Sequence, residues 1–169
     1  MTASRAALLE RLAAVERRAA ALQDIEEIKA FHRDYVRGLA DRRFDAIGDH
    51  FTDDAWIDMR THGRKQGRSA IEAHFAPMRD LVAEGSGYVL SSPVIHVDGD
   101  SATGEWTWHR YLCEFPVMGA QLRVPGPWLE GRYRCEYVRQ DGRWRFSGMW
   151  FRVVLPDRDP EVQPAGHPA

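Results

Sequence analysis

The sequence predicts an α+β fold. Helical periodicity dominates its first half, strand alternation takes over near residue 87, and two Asp-Gly turns divide the strand region into hairpins. Helices first and strands afterwards place the two in segregated layers, unlike the regular alternation that builds a parallel sheet.

Taken in order, residues 5–22 ("RAALLERLAAVERRAAAL") repeat Leu8, Leu12, Val15, Ala19 and Leu22 at spacings of four and three. That is one apolar stripe on a helix. Asp24, with Glu27 three residues later, has the form of a capping box, so a second helix is expected from there. Ile28, Phe31, Tyr35 and Leu39 share a face of it, and it ends near residues 38–42. "FDAIGDHF" reads as a short third helix and "DAWIDM" as a strand. Gly63 and Gly67 bracket a short "RKQ" segment. Ser69 and Glu72 repeat the capping-box pattern before "AIEAHFAPMRDLVAEG", a helix that Pro77 kinks or ends.

The strand region holds two predicted hairpins. "VIHVDGDSATGEWTWHRYLCEF" turns at Asp98-Gly99, and "YRCEYVRQDGRWRFSGMWFRVV" turns at Asp141-Gly142. Alternation puts Ala102, Gly104, Trp106, Trp108, Arg110 and Leu112 on one face and Thr103, Glu105, Thr107, His109 and Tyr111 on the other. Tyr133, Cys135 and Tyr137 likewise oppose Arg132, Arg134 and Glu136. The aromatic faces are expected to look toward the helices. Arg110, among tryptophans, is either stacked and paired or aimed at a ligand. Residues 1–155 read as one domain with an extra N-terminal helix at about 5–22. The tail 156–169, with Pro156, Pro160, Pro164 and Pro168, reads as extended or disordered.

Composition narrows the function. Hydrophobic residues make up 44% of the 169, enough for a core. A net charge of −2, with Arg residues interleaved with acids, argues against nucleic acid as a partner. No apolar stretch is long enough to span a membrane or to serve as a signal peptide, so a cytoplasmic protein is expected. Cys113 and Cys135 make neither a zinc set nor a disulfide framework. The stretch "GLADRRFDAIGDHFTDDAWIDM" carries six carboxylates and one His, but His50, Asp53, Asp54 and Asp58 lack metal-ligand spacing. Asp53 and Asp54 read as the turn into the strand. No metal is expected. His32, His74 and His96 read as surface or packing residues, and His109 as outward-facing.

The order "DIEEIKAFHRDYVRGLADRRFDAIGDHFTDDAWIDM", "GRSAIEAHF", "SSPVIHVDGDSATGEW" and "EGRYRCEYVRQDGRWRFS" resembles the SnoaL-like branch of the NTF2-like superfamily. The resemblance implies a cone: a curved antiparallel sheet wrapped around N-terminal helices and enclosing an apolar pocket. It also implies a homotrimer or homodimer, no metal or organic cofactor, and acid/base chemistry on a small hydrophobic or aromatic molecule. Members include dehydratases, a dehydrochlorinase, isomerases and cyclases, together with non-catalytic proteins. In the dehydratase-like members an Asp just after the long helix pairs with a His on the sheet. Asp41 in "ADRRF" matches the Asp; Tyr88 in "GYVLSSP" stands where the His is usual. Met59 replaces a pocket Tyr, and Gly148 and Met149 stand where an Arg is frequent.

These readings make Asp41 the acid/base group and Tyr88 the proton donor, helped by Tyr35 or Tyr133. Trp56, Met59, Trp106, Trp108, Arg110, Tyr133, Met149 and Trp150 are expected to line the pocket. A dehydratase-like lyase leads. Retro-aldol cleavage, isomerisation and cyclisation use the same groups, and a non-catalytic binding or assembly module remains the alternative.

Overall fold

The computed structural model describes residues 4–59, 63–79, 85–118 and 120–154. The proline-rich tail and residues 80–84, read above as helix, lie outside the described residues.

One helix, α1 (Arg5–Ala40), replaces the two expected. Asp24 does not cap it: its carboxylate pairs with Arg139, and Glu27 lies 3.4 Å from the same guanidinium. The chain has no Gly or Pro between Arg5 and Arg37, and its Ala, Leu, Arg and Glu residues favour continuation over a break. Only the C-terminal half is packed. Ile28, His32, Tyr35 and Val36 are buried, whereas Leu8, Leu12, Val15 and Leu22 are exposed. The stripe read from the sequence is a helix face, but one that no described residue covers.

α1 ends in a Schellman motif. The Gly38 carbonyl accepts from the Arg43 N–H at 2.8 Å and the Leu39 carbonyl from Arg42 at 3.1 Å. Arg42 takes the left-handed conformation, φ 59°. This reversal leaves Asp41 as the C-cap and turns Arg43 back toward the helix.

A 3-10 turn (Phe44–His50) leads into β1 (Phe51–Met59), followed by β2 (Gly63–Gln66) and α2 (Arg68–Phe75). Asp53 and Asp54 lie within β1, not in a turn before it. Gly67, φ 86°, immediately precedes α2, and no side chain caps the helix, so Ser69 and Glu72 form no capping box. Pro77 falls in a 3-10 turn (Ala76–Arg79) where α2 has stopped.

The remaining strands are β3 (Gly85–Asp98), β4 (Ser101–Val117), β5 (Ala120–Gln140) and β6 (Arg143–Val153). They form one six-stranded sheet in the order β2-β1-β6-β5-β4-β3. It is curved and mixed, not wholly antiparallel: β1 runs parallel to β6. Those two strands are separated by nearly half of the chain, so no hairpin dictates their relative direction. Both predicted hairpins form, with Gly99-Asp100 and Asp141-Gly142 as their two-residue loops. A third, pairing Val117 with Ala120, was not read from the sequence. Pro116, Pro125 and Pro127 disguise its strands, and a register irregularity opposite Arg110 and Leu112 breaks their alternation.

The predicted faces hold on β4 and β5: Ala102, Trp106, Trp108, Tyr133, Cys135 and Tyr137 are buried under α1. His109 points outward, with Nε2 3.7 Å from Glu130. On β6, Tyr137 pairs with Phe146 but Glu136 pairs with Gly148, so Ser147 bulges and the alternation flips. Phe146 and Met149 therefore both face inward, and Trp150 faces out.

Candidate functional site

The α1 face that looks at β3 repeats every three or four residues through Lys29, Ala30, Arg33, Val36, Arg37, Ala40 and Asp41. Opposite it run Tyr88, Val89, Leu90 and Pro93 of β3, and Trp106 of β4 closes the floor. The result is a groove of about 720 Å³, open to solvent. β3 can form this wall because it breaks step with β4 between Ser91 and Val94, with Ser92 in the left-handed region.

Asp41 and Tyr88, the two leading candidates, line this one groove. Asp41 arrives as the C-cap of α1, and its carboxylate lies 3.8 Å from both Arg37 Nε and Arg43 Nε. It is 55% exposed, so within this chain it is solvated. Tyr88 sits opposite Arg110 in the β3–β4 ladder, with its ring 5.1 Å from Trp108. Tyr35 does not join them. It is sealed in the core against His32, Phe51 and Phe146, and its hydroxyl has no hydrogen-bond partner among the described residues.

The expected lining residues divide. Met59, Trp106, Trp108, Tyr133 and Met149 lie on the inner face, where most are packed core; only Trp106 also borders the groove. Arg110 is on the inner face too, with a buried Nε that has no partner among the described residues. Trp56 and Trp150 are placed differently. They flank a cleft on the outer face with Glu136 and Arg134. Trp56 donates to Glu136 at 3.3 Å and carries Arg64 over its ring, while Arg134 and Arg152 stack on Trp150. Strand parity on β1 and the Ser147 bulge on β6 turn both rings away from the helices.

Beneath the groove floor lies a buried polar cluster. Trp106 Nε1 donates to the Tyr137 hydroxyl at 2.8 Å, and that hydroxyl is 2.8 Å from His32 Nδ1. Burial, reinforced by the charge of His50, lowers the His32 pKa to about 3. The ring is therefore neutral and shares one hydrogen bond with the Tyr137 hydroxyl, the tautomer setting which of the two donates. Burial pushes Tyr35, Tyr133 and Tyr137 upward, and the Cys135 thiol as well. Of the two sequence readings for His32, surface or packing, the structure gives packing: the Tyr137 hydroxyl is the hub of this cluster, and the His32 ring packs against Tyr35, Trp106, Tyr133 and Phe146. Its spacing of four from Ile28 and three from Tyr35 carried that signal.

Three other acids of the Asp-rich stretch have partners of their own. Asp53 pairs with Arg68 at 3.0 Å, Asp54 accepts from Thr52 at 2.8 Å, and Asp58 pairs with Arg152 at 3.0 Å. His50 turns to Asp34, 3.4 Å away. Burial alone would raise the Asp34 pKa, but hydrogen bonds and charge from Arg43 and His50 outweigh it and lower it. Among the described residues no group of three or more His, Cys, Asp or Glu is placed to hold a metal ion, and no helix is long and apolar enough to cross a membrane. Cys135 is a free, buried thiol.

A model of the SnoaL-like domain matches residues 20–149. No curated protein matches the chain. Among solved structures, an NTF2-like protein with a cystatin-like fold from Novosphingobium aromaticivorans is 21% identical. It covers 89% of this chain and 96% of its own, with a TM-score of 0.68. A candidate scytalone dehydratase from the same organism is 18% identical over 79% of this chain and 86% of its own, TM-score 0.65. A candidate ketosteroid isomerase from Parabacteroides distasonis is 14% identical over 76% and 86%, TM-score 0.58. At these identities the likeness establishes the NTF2-like fold, not an activity.

Proposed function

The chain belongs to the SnoaL-like domain family, and from that premise we propose that it is a cofactor-independent, dehydratase-like lyase acting on a small aromatic or polycyclic molecule in the α1–β3 groove. One observation carries the reading. Asp41 and Tyr88 are far apart in sequence, yet both line a groove whose floor is an indole. An acid/base pair on either side of an apolar floor is what an elimination needs. The Asp41 carboxylate takes the proton next to the departing group, and the C–H electron pair becomes the new double bond as the C–O bond breaks. A phenol is a poor base at neutral pH, so Tyr88 serves as the donor. Its proton goes to the departing hydroxyl, which leaves as water. Solvent then carries the proton from the Asp41 carboxyl back to the Tyr88 phenolate. Arg37 and Arg43 hold Asp41 in place from both sides.

The test begins with mass spectrometry of small molecules that co-purify with the protein, followed by a screen of related hydroxylated aromatics. Asp41→Asn is expected to abolish turnover and to leave ligand affinity within about twofold. Wild-type turnover in that variant sinks the mechanism.

The solvent exposure of Asp41 favours a second reading, a non-catalytic ligand-binding module. Tight binding by the wild type, with no product from any ligand identified, would favour that reading over the enzyme.

A further inference from the structure

We propose that the groove takes its ligand as an anion: a flat aromatic carboxylate whose carboxylate docks on Arg33 while its rings lie over Trp106 and beside Tyr88. This rests on reading the α1–β3 groove as the ligand site.

The groove wall on α1 presents Lys29, Arg33 and Arg37 at four-residue spacing, one row of cations along the same edge. Two of the three are engaged. Lys29 holds Glu26 at 2.6 Å, and Arg37 shares Asp41 with Arg43. Among the described residues Arg33 has neither an ion pair nor a hydrogen bond, and it lies midway along the groove. A free guanidinium offers a planar fork that matches a carboxylate with two parallel hydrogen bonds.

The same wall limits the charge of the guest. Glu26 and Asp41 lie toward the two ends of the row, so a compact multianion meets repulsion on either side of Arg33. A singly charged group suits Arg33, the one cation of this row left uncompensated among the described residues. Spacing sets the length. Arg33 and Asp41 are eight residues apart, about 12 Å along the helix axis. A carboxylate on Arg33 with a reacting carbon near Asp41 therefore calls for a body of about two fused rings, and the apolar surface of Val36, Leu90 and Trp106 runs beneath it.

Equilibrium dialysis with 2-naphthoate and its neutral isostere 2-naphthamide tests this on the full chain. The wild type is expected to prefer naphthoate by about tenfold. Arg33→Gln, an exposed substitution, should erase the preference while naphthamide binds as before. Arg143→Gln, at an exposed position in a different cleft, should preserve it. Equal affinity for both probes, or a preference that survives Arg33→Gln, overturns the anion proposal and leaves the groove reading standing. Ala30→Trp fills the groove from an exposed helix position. If that variant still binds naphthamide at wild-type strength, or the wild type binds neither probe, the groove itself is the wrong site and both readings fall.

Discussion

Lowering the pH from 7 to 5 should cost this protein stability through His32. The ring is fully buried, and its pKa falls from an ordinary 6.5 to about 3, first because burial penalises the charged form and second because of His50. Between those values the unfolded chain binds a proton at residue 32 that the folded chain does not. Stability is thus fully present above the unfolded value and is lost as pH falls toward the folded one. Linkage makes the loss roughly 2 kcal/mol between pH 7 and pH 5, and roughly 4 kcal/mol by pH 3. The surrounding Tyr35, Tyr133, Tyr137 and Cys135 are all pushed upward by burial and stay neutral across this window. Asp34, whose pKa is lowered, weakens the fold only under more acidic conditions. Urea unfolding of the wild type and of His32→Gln at both pH values isolates the effect, since glutamine can still hydrogen-bond to Tyr137 but cannot titrate. The pH-dependent loss should shrink in the variant by about 2 kcal/mol. Equal losses in the two proteins would show that His32 is protonated without strain, and would refute the buried neutral imidazole.

Three further outcomes follow from contacts in the fold. Tyr137→Phe strands Trp106 Nε1 and His32 Nδ1 together, and unfolding titrations should register about 2–4 kcal/mol; a loss under about 1 kcal/mol would mean that both atoms find other partners. Gly148→Ala places a Cβ 2.4 Å from Trp56 Nε1 and 2.7 Å from Glu136 Oε2. The indole must swing off the outer face, at about 1–2 kcal/mol by chemical denaturation, with groove binding unchanged. Leu12→Glu combined with Val15→Glu alters two exposed positions, so unfolding titrations should register less than about 1 kcal/mol; a larger loss would show that this stripe is covered in the folded protein.

Much of the fold is legible in the residue pattern. The hairpin turn at Asp141-Gly142 is a local matter of left-handed backbone, and the inward aromatic face of β4 and β5 follows from a period of two. The family resemblance also points to Asp41 and Tyr88, and the fold brings both to one groove. Other features depend on partners distant in the chain. Asp24 looks like a helix cap until Arg139 reaches it from β5, more than 100 residues later. Trp150 looks like a pocket residue until the bulge at Ser147 reverses its side. Tyr35 lies on the predicted helix face, but rings from β1 and β6 close over it. Local pattern by itself determined which segments are helix or strand and which residues prefer burial, because propensity and periodicity act over a few residues. Tertiary structure alone decided which way a half-buried ring points, which charge meets which, and that Arg33, unpaired among the described residues, stands in a groove wall, because each depends on groups that folding brings together from far along the chain.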